Sequence, residues 1–122
     1  MNLFNGLLEK NNGQPVLKVG SQLLSLPNAD TGLRTTGAVI LGVRPEHLTI
    51  AATGWAMKVL MVEMLGAERL VYVQLVGGPS DQTYIVRIDE SQAIPAVGQS
   101  IHVQARSDRL HWFDVKTGKR IE

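Results

Sequence analysis

Hydrophobic and polar residues alternate along much of this chain, with the period of two that is typical of β-strands. The clearest case is segment 101–106, where every second residue from Ile101 to Ala105 is apolar and the residues between are polar. Segment 69–76 has the same period and is rich in β-branched residues. Both segments therefore predict strands with one buried face and one solvated face.

Turn-forming residues interrupt the apolar stretches at intervals of about ten residues, which is the spacing of an all-β sandwich or barrel. Turns are predicted at 11–13, 20–21, 27–30, 77–80 and 98–99. Strands are predicted at 3–9, 15–19, 22–26, 38–43, 57–64, 69–76, 83–89, 101–106 and 111–115. The polar stretch 28–37 is predicted to be a flexible connection between two halves of the sheet system. The predicted fold class is all-β.

Segment 57–65 fits two kinds of secondary structure. Its apolar residues also lie at helical spacing, and several are good helix formers: Met57, Leu60, Met61, Met64 and Leu65. Periodicity alone leaves both a strand and a helix open for this segment.

The composition is that of one folded domain. The chain has 122 residues, 44% of them apolar, a net charge of +1 and no cysteine. Disulfides, thiol redox chemistry and cysteine-based metal sites are therefore excluded. The richest apolar stretch, 55–65, contains Lys58 and Glu63, so no segment reaches the roughly 18 apolar residues of a membrane span. The start of the chain lacks the basic and apolar regions of a secretory signal. We expect a soluble intracellular protein.

The motifs of common catalytic sites are absent from the sequence. A phosphate-binding loop requires G-x-x-x-x-G-K-[ST], and the one Gly-Lys pair, Gly118-Lys119, is followed by Arg120. No G-x-S-x-G elbow occurs, and the three histidines are too dispersed for an H-E-x-x-H zinc pair. Neither catalysis nor a resident cofactor or metal is expected in this chain.

Five aromatic residues are candidates for base stacking in a nucleic-acid-binding OB-fold: Trp55, Trp112, Phe113, Tyr72 and Tyr84. Such a site also needs a basic groove, and the net charge of +1 does not favour one. Packing in a core or an interface is the better interpretation, and nucleic acid is not expected as a partner.

Two turns stand out along the chain. In 42–48, Pro45 is expected to end a strand after Arg44 and to start a short helical turn. In 62–68, a turn centred on Gly66 is flanked by carboxylates and leads into the strand at 69–76. Without further information, segment 42–48 is interpreted as a charged corner between strands and segment 62–68 as a hairpin.

Four blocks of sequence occur in an order that resembles one family: 1–4 (MNLF), 42–48 (GVRPEHL), 62–68 (VEMLGAE) and 110–121 (LHWFDVKTGKRI). The chain is similar, over nearly its whole length, to the C-terminal regulatory region of MalK/UgpC-type ABC ATPases. These are the ATP-binding subunits of bacterial sugar and glycerol-3-phosphate importers. The resemblance implies a TOBE/MOP-like arrangement of OB-fold-like β-barrels, with 57–65 as a strand.

The resemblance also implies a role. Residues 1–122 would form one regulatory and dimerisation region, non-catalytic by itself, while the ATPase domain that binds ATP and Mg belongs to the parent protein and is absent from this chain. The implied partners are a homodimer mate, its own ATPase domain, the permease subunits reached through that domain, and a cytosolic regulator. A homodimer would use the same patch on both copies. The implied location is cytoplasmic, on the inner membrane's cytoplasmic face through the parent complex.

Residues of the matching blocks are expected to contact another domain or subunit: Arg44, Pro45, Glu46, His47, Glu63, Gly66, Glu68, Phe113 and Asp114. Trp112 stands where the family pattern has a smaller aliphatic residue, and 7–30 matches only in rhythm.

A free-standing OB-type ligand-binding module is the alternative function. Its ligand would be an oxyanion such as molybdate, or an oligosaccharide. Such a site would gather lysines, hydroxyls and backbone donors, as Ser107 with Lys116 and Lys119 would do.

Overall fold

A computed structural model describes residues 1–26 and 37–121. The described elements are the strands β1 (Asn2–Asn11), β2 (Gln14–Val19), β3 (Gln22–Ser25), β4 (Gly37–Val43), β5 (Leu48–Ala51), β6 (Trp55–Leu65), β7 (Glu68–Leu75), β8 (Tyr84–Asp89), β9 (Ser100–Ala105) and β10 (His111–Phe113), and one short 3₁₀ turn, η1 (Pro45–His47). The all-β prediction is confirmed. The turn predicted at 27–30, and the connection predicted at 28–37 up to Gly37, lie outside the described residues. Within the described ranges, no helix has the length and apolar character needed to cross a bilayer.

The strands form two antiparallel sheets of five. Sheet 1 has the order β10-β4-β1-β2-β3, and sheet 2 has the order β5-β9-β6-β7-β8. Strand β4 joins the two ends of the sequence, because it pairs with β1 on one side and with β10 on the other. The element that leads from sheet 1 to sheet 2 is η1, which lies between β4 and β5.

One cluster of buried hydrophobic side chains draws on both sheets. Phe4 of sheet 1 stacks on Tyr84 of sheet 2 at a centroid distance of 4.1 Å, and it meets Trp55 edge-on at 5.4 Å. Trp55, Tyr84 and Trp112 are all buried. These three rings therefore pack in the core instead of offering faces for base stacking.

Segment 57–65 is a strand, and a β-bulge explains its helix-like spacing. The cross-strand register of β6 with β7 shifts between Val59 and Met61, so that Leu60 is an extra residue. The shift places Val62, opposite the buried Val71, on the core side and sends Met61 to the other side. The apolar residues with helical spacing consequently do not share one face.

Polar side chains bond the two sheets to each other. Asn2 of β1 donates from Nδ2 to the Ile85 carbonyl of β8 and accepts from the Ile85 N–H, both at 2.8 Å. Gln22 of β3 bonds both backbone groups of Ala56 in β6. These contacts fix how sheet 1 sits on sheet 2.

Candidate subunit-contact surface

The hairpin of β6 and β7 ends in a two-residue turn, Gly66-Ala67, closed by the pair Leu65 and Glu68. Gly66 has a φ of 62°, the left-handed conformation that glycine adopts without strain. Side chains of both strands become more exposed toward this turn. Leu65 and Glu68 beside the turn are exposed, whereas Val59 and Val73 farther along the strands are buried. The turn therefore forms the exposed end of the hairpin.

Cross-strand pairing defines what this hairpin presents on its outer side, the side away from the core. Directly paired residues share a face, so three rows cross β6, β7 and β8. The rows are Met61–Tyr72–Ile85, Glu63–Leu70–Arg87 and Leu65–Glu68–Asp89. We call this set, together with Leu60, the outer hairpin surface.

Large apolar side chains are exposed on the outer hairpin surface. The exposed fractions of Leu60, Met61 and Leu65 are 39%, 48% and 50%. Leu70 and Tyr72 are half-buried beside them. An apolar group of this kind on a sheet face is characteristic of a surface that meets another protein.

Charged groups are interleaved with these apolar residues. Arg87 forms an ion pair with Glu68 at 3.5 Å, and the Tyr72 hydroxyl donates to Glu63 at 3.3 Å. Burial, and then the charge of Glu63, raises the pKa of the Tyr72 hydroxyl. Two predicted contact residues, Glu63 and Glu68, thus lie on one surface with Arg87.

The Arg44–His47 corner lies at the transition between the sheets. Arg44 is extended, Pro45 starts η1, and the turn closes with the His47 N–H donating to the Arg44 carbonyl at 2.9 Å. The corner is held to the end of β9, because the Arg106 N–H donates to the His47 carbonyl at 3.0 Å.

Arg87 connects this corner electrostatically to the outer hairpin surface. The pKa of Glu46 is lowered by a hydrogen bond from its own backbone N–H, and further by the charges of Arg87, His47 and Arg44, against the opposing effect of burial. The same Arg87 is paired with Glu68. The Arg87 guanidinium therefore interacts with a carboxylate of each of the two turns that stand out in the sequence, Glu46 and Glu68.

The opposite side of the corner faces the start of β10. Burial lowers the pKa of His111, and the positive charges around it lower the pKa further; they belong to Arg120, Arg44, His47 and Arg109. The Nδ1 atom of His47 is buried and has no hydrogen-bond partner in the part of the chain that the structure describes. The corner thus gathers positive charge on this side.

Phe113 and Asp114 serve the chain's own fold. The Phe113 ring lies close to Gly42, where an added Cβ would come within 2.8 Å of its Cε2 atom. The Asp114 carboxylate accepts from the N–H groups of Lys116 and Thr117 at 2.7 and 3.1 Å, which lowers the pKa of Asp114. Their expected role as contacts to another subunit stays a prediction.

Arg87 and the apolar members of the surface are not predicted from the sequence. The signal lies in β8, where Ile85, Arg87 and Asp89 alternate with buried residues and so share the outer side. Reading that alternation as a surface requires knowing that β8 pairs with β7.

No group of three or more His, Cys, Asp or Glu side chains within residues 1–26 and 37–121 is placed to hold a metal ion.

Comparison with known proteins supports the resemblance noted in the sequence. The family model for the TOBE domain matches residues 41–113, and the one for the MalK OB fold domain matches residues 1–48. The two matches overlap at residues 41–48, a range that includes the Arg44–His47 corner.

Several curated relatives are named sn-glycerol-3-phosphate import ATP-binding protein UgpC. The one from Yersinia pestis bv. Antiqua is 35% identical over 100% of this chain and 33% of its own length. Those from Ralstonia nicotianae and Cupriavidus metallidurans are 34% and 35% identical over 86% of this chain and 28% of their own lengths. The chain thus spans about a third of the length of the relatives it matches.

Proposed function

Because this chain belongs to the TOBE-domain family, we propose that it is the non-catalytic regulatory region of the ATP-binding subunit of an importer for glycerol 3-phosphate or carbohydrates. The names of its relatives support the glycerol-3-phosphate assignment. In this proposal residues 1–122 act as one region, and ATP and Mg are bound by the ATPase domain of the parent protein. That parent is a cytoplasmic subunit attached to the membrane through the importer's permeases.

The function proposed for the region is to hold two ATP-binding subunits together. The exposed apolar side chains of the outer hairpin surface carry this proposal, since Met61 and Leu65 leave about half of their area in solvent. A two-fold axis through this surface would bury the same patch on both copies. It would also allow Arg87 of one copy to approach Glu63 or Glu68 of the other.

A lasting contact between these regions would have a mechanical effect on the parent protein. It would keep the two ATPase domains at high effective concentration while they separate and close. The Arg44–His47 corner, at the junction of the sheets, is proposed to contact the subunit's own ATPase domain. A cytosolic regulator would act by changing either contact.

Sedimentation velocity of the 122-residue chain at micromolar concentration tests the pairing. We expect a dimer for the wild type and a dimer dissociation constant raised about tenfold or more by Met61→Glu, because the new carboxylate would be buried without a partner. Leu7→Glu is the matched control, since Leu7 is 47% exposed in β1 of the other sheet and Met61 is 48% exposed.

The two substitutions together decide the outcome. A monomeric wild type would exclude autonomous pairing, and equal dissociation by Leu7→Glu would show that the outer hairpin surface is not the contact.

A further inference from the structure

A cavity of about 350 Å³ opens between the end of β3, the turn that joins β5 to β6, and the end of β9. Its volume lies within the range of about 300–1,000 Å³ that is usual for small-molecule sites. The described lining residues are Leu23, Ser25, Leu26, Thr53, Gly54, Trp55, Gln104, Ala105, Ser107 and Leu110. The cavity is separate from the outer hairpin surface, since the two sets of residues do not overlap.

The rim of the cavity is held in place by specific contacts. The Trp55 indole N–H donates to the Ser25 carbonyl at 3.0 Å, tying β6 to β3. Gln104 donates from Nε2 to the Thr53 carbonyl at 2.9 Å, tying β9 to the turn. At Gly54 the backbone runs so close to β9 that an added Cβ would lie 2.4 Å from the Val103 carbonyl oxygen. These contacts tie β3, β6, β9 and the turn before β6 to one another at the rim of the cavity.

Several polar groups of the lining remain available. The Ser25 and Ser107 hydroxyls and the Oε1 atom of Gln104 make no hydrogen bond to another residue of the described ranges 1–26 and 37–121. A serine hydroxyl can donate and accept, whereas Oε1 can only accept. Together they match a ligand that carries several hydroxyl groups.

The rest of the lining sets the other requirements for a ligand. Leu23, Leu26 and Leu110 supply apolar area for carbon–hydrogen faces. The described lining residues offer hydroxyl, amide and apolar groups, which suit an uncharged ligand. Lys116 and Lys119, expected beside Ser107 in an oxyanion site, are not among them. The hydroxyl and amide groups beside apolar side chains match an uncharged ligand with several hydroxyl groups.

We propose that this cavity binds an uncharged, polyhydroxylated ligand of sugar size, with Ser25, Ser107 and Gln104 making the hydrogen bonds. The site does not depend on the pairing proposed above, because no residue is shared. A ligand here would bridge β3 of sheet 1 and β9 of sheet 2, and so would stabilise one arrangement of the sheets.

Calorimetric titration of the full chain with maltose, sucrose and trehalose tests the proposal, with glucose 6-phosphate as the charged comparison. We expect at least one neutral disaccharide to bind at millimolar concentration or below and to raise the melting temperature, and glucose 6-phosphate to bind more weakly. The double substitution Ser25→Val and Ser107→Val should weaken binding about tenfold or more, because two hydrogen bonds are lost.

The control is Ser100→Val, which removes an exposed hydroxyl at the other end of β9 and should leave binding unchanged. Circular dichroism would verify folding, and Ser107→Val alone replaces the double variant if that variant fails to fold. Absence of binding by all three disaccharides, tighter binding of glucose 6-phosphate, or unchanged affinity in the serine variant would each overturn the proposal. None of these results would affect the sedimentation test.

Discussion

His111 shows how the surroundings of one residue set its chemistry. Its partial burial at the start of β10 disfavours the charged imidazole, and the charges of Arg120, Arg44, His47 and Arg109 oppose protonation further. Its pKa is therefore lower in the folded chain than the ordinary value of 6.5. In the unfolded chain these groups are dispersed, and the imidazole takes up a proton more readily.

A pH dependence of stability follows from this difference. Because the unfolded chain binds the proton more tightly, the free energy of unfolding should fall as the pH drops below the unfolded value of 6.5. His111→Gln should reduce the loss of melting temperature between about pH 7.5 and about pH 5.5, measured by circular dichroism. His102→Gln, at an exposed position of β9, is the control and should behave as the wild type. An identical loss in the His111 variant would contradict this account.

At the scale of elements, the hairpin of β6 and β7 shows what the sequence can predict. Its turn at Gly66 was recognisable from glycine between carboxylates, and β7 from its alternation. The bulge at Leu60 could not be recognised from the sequence. A single extra residue shifts the alternation of the strand, so that its apolar residues fall at helical spacing. Strand β5 (Leu48–Ala51) also escaped prediction, since four residues are too few to display a period and its pairing with β9 is a tertiary contact.

The turn of this hairpin offers a direct test. An added Cβ at Gly66 would meet no atom within 4 Å, so the cost of a side chain there is backbone strain at a φ of 62°. Gly66→Val should lower the free energy of unfolding by about 1–3 kcal/mol in urea titrations. Ala67→Val places the same side chain one residue later, where φ is not positive, and should change it by less than about 0.5 kcal/mol. Equal losses at both positions would refute the role of the backbone.

At the scale of the whole molecule, the order of the strands could not be read from the chain. Alternation indicates which side of a strand is buried but not which strand lies next to it. The pairing of β4 with both β1 and β10 joins segments far apart in sequence. For the same reason the sequence predicts only two members of the outer hairpin surface, Glu63 and Glu68, because the rest of the surface depends on β8 lying beside β7.

Asn2 provides a test of how the sheets are joined. It is buried, with 6% of its surface exposed, and its amide satisfies both backbone groups of Ile85. Asn2→Ala would leave those groups unpaired and should lower the free energy of unfolding by about 1–3 kcal/mol, measured by urea denaturation. Asn5→Ala, on the exposed side of the same strand, should cost less than about 0.5 kcal/mol. If Asn2→Ala cost no more than Asn5→Ala, the side-chain bridge would not be what joins the sheets.

The bond between Asn2 and Ile85 also bears on how the chain folds during its synthesis. The two residues are 83 positions apart, so β1 leaves the ribosome long before β8 exists to receive its side-chain amide. Phe4 likewise lacks its stacking partner until Tyr84 has been synthesised. Contacts at such separation close slowly. Strand β1 can pair with β2 and β4 soon after they are made, but its contacts with sheet 2 must wait for β8, so the buried face of sheet 1 stays uncovered through much of the synthesis of this chain.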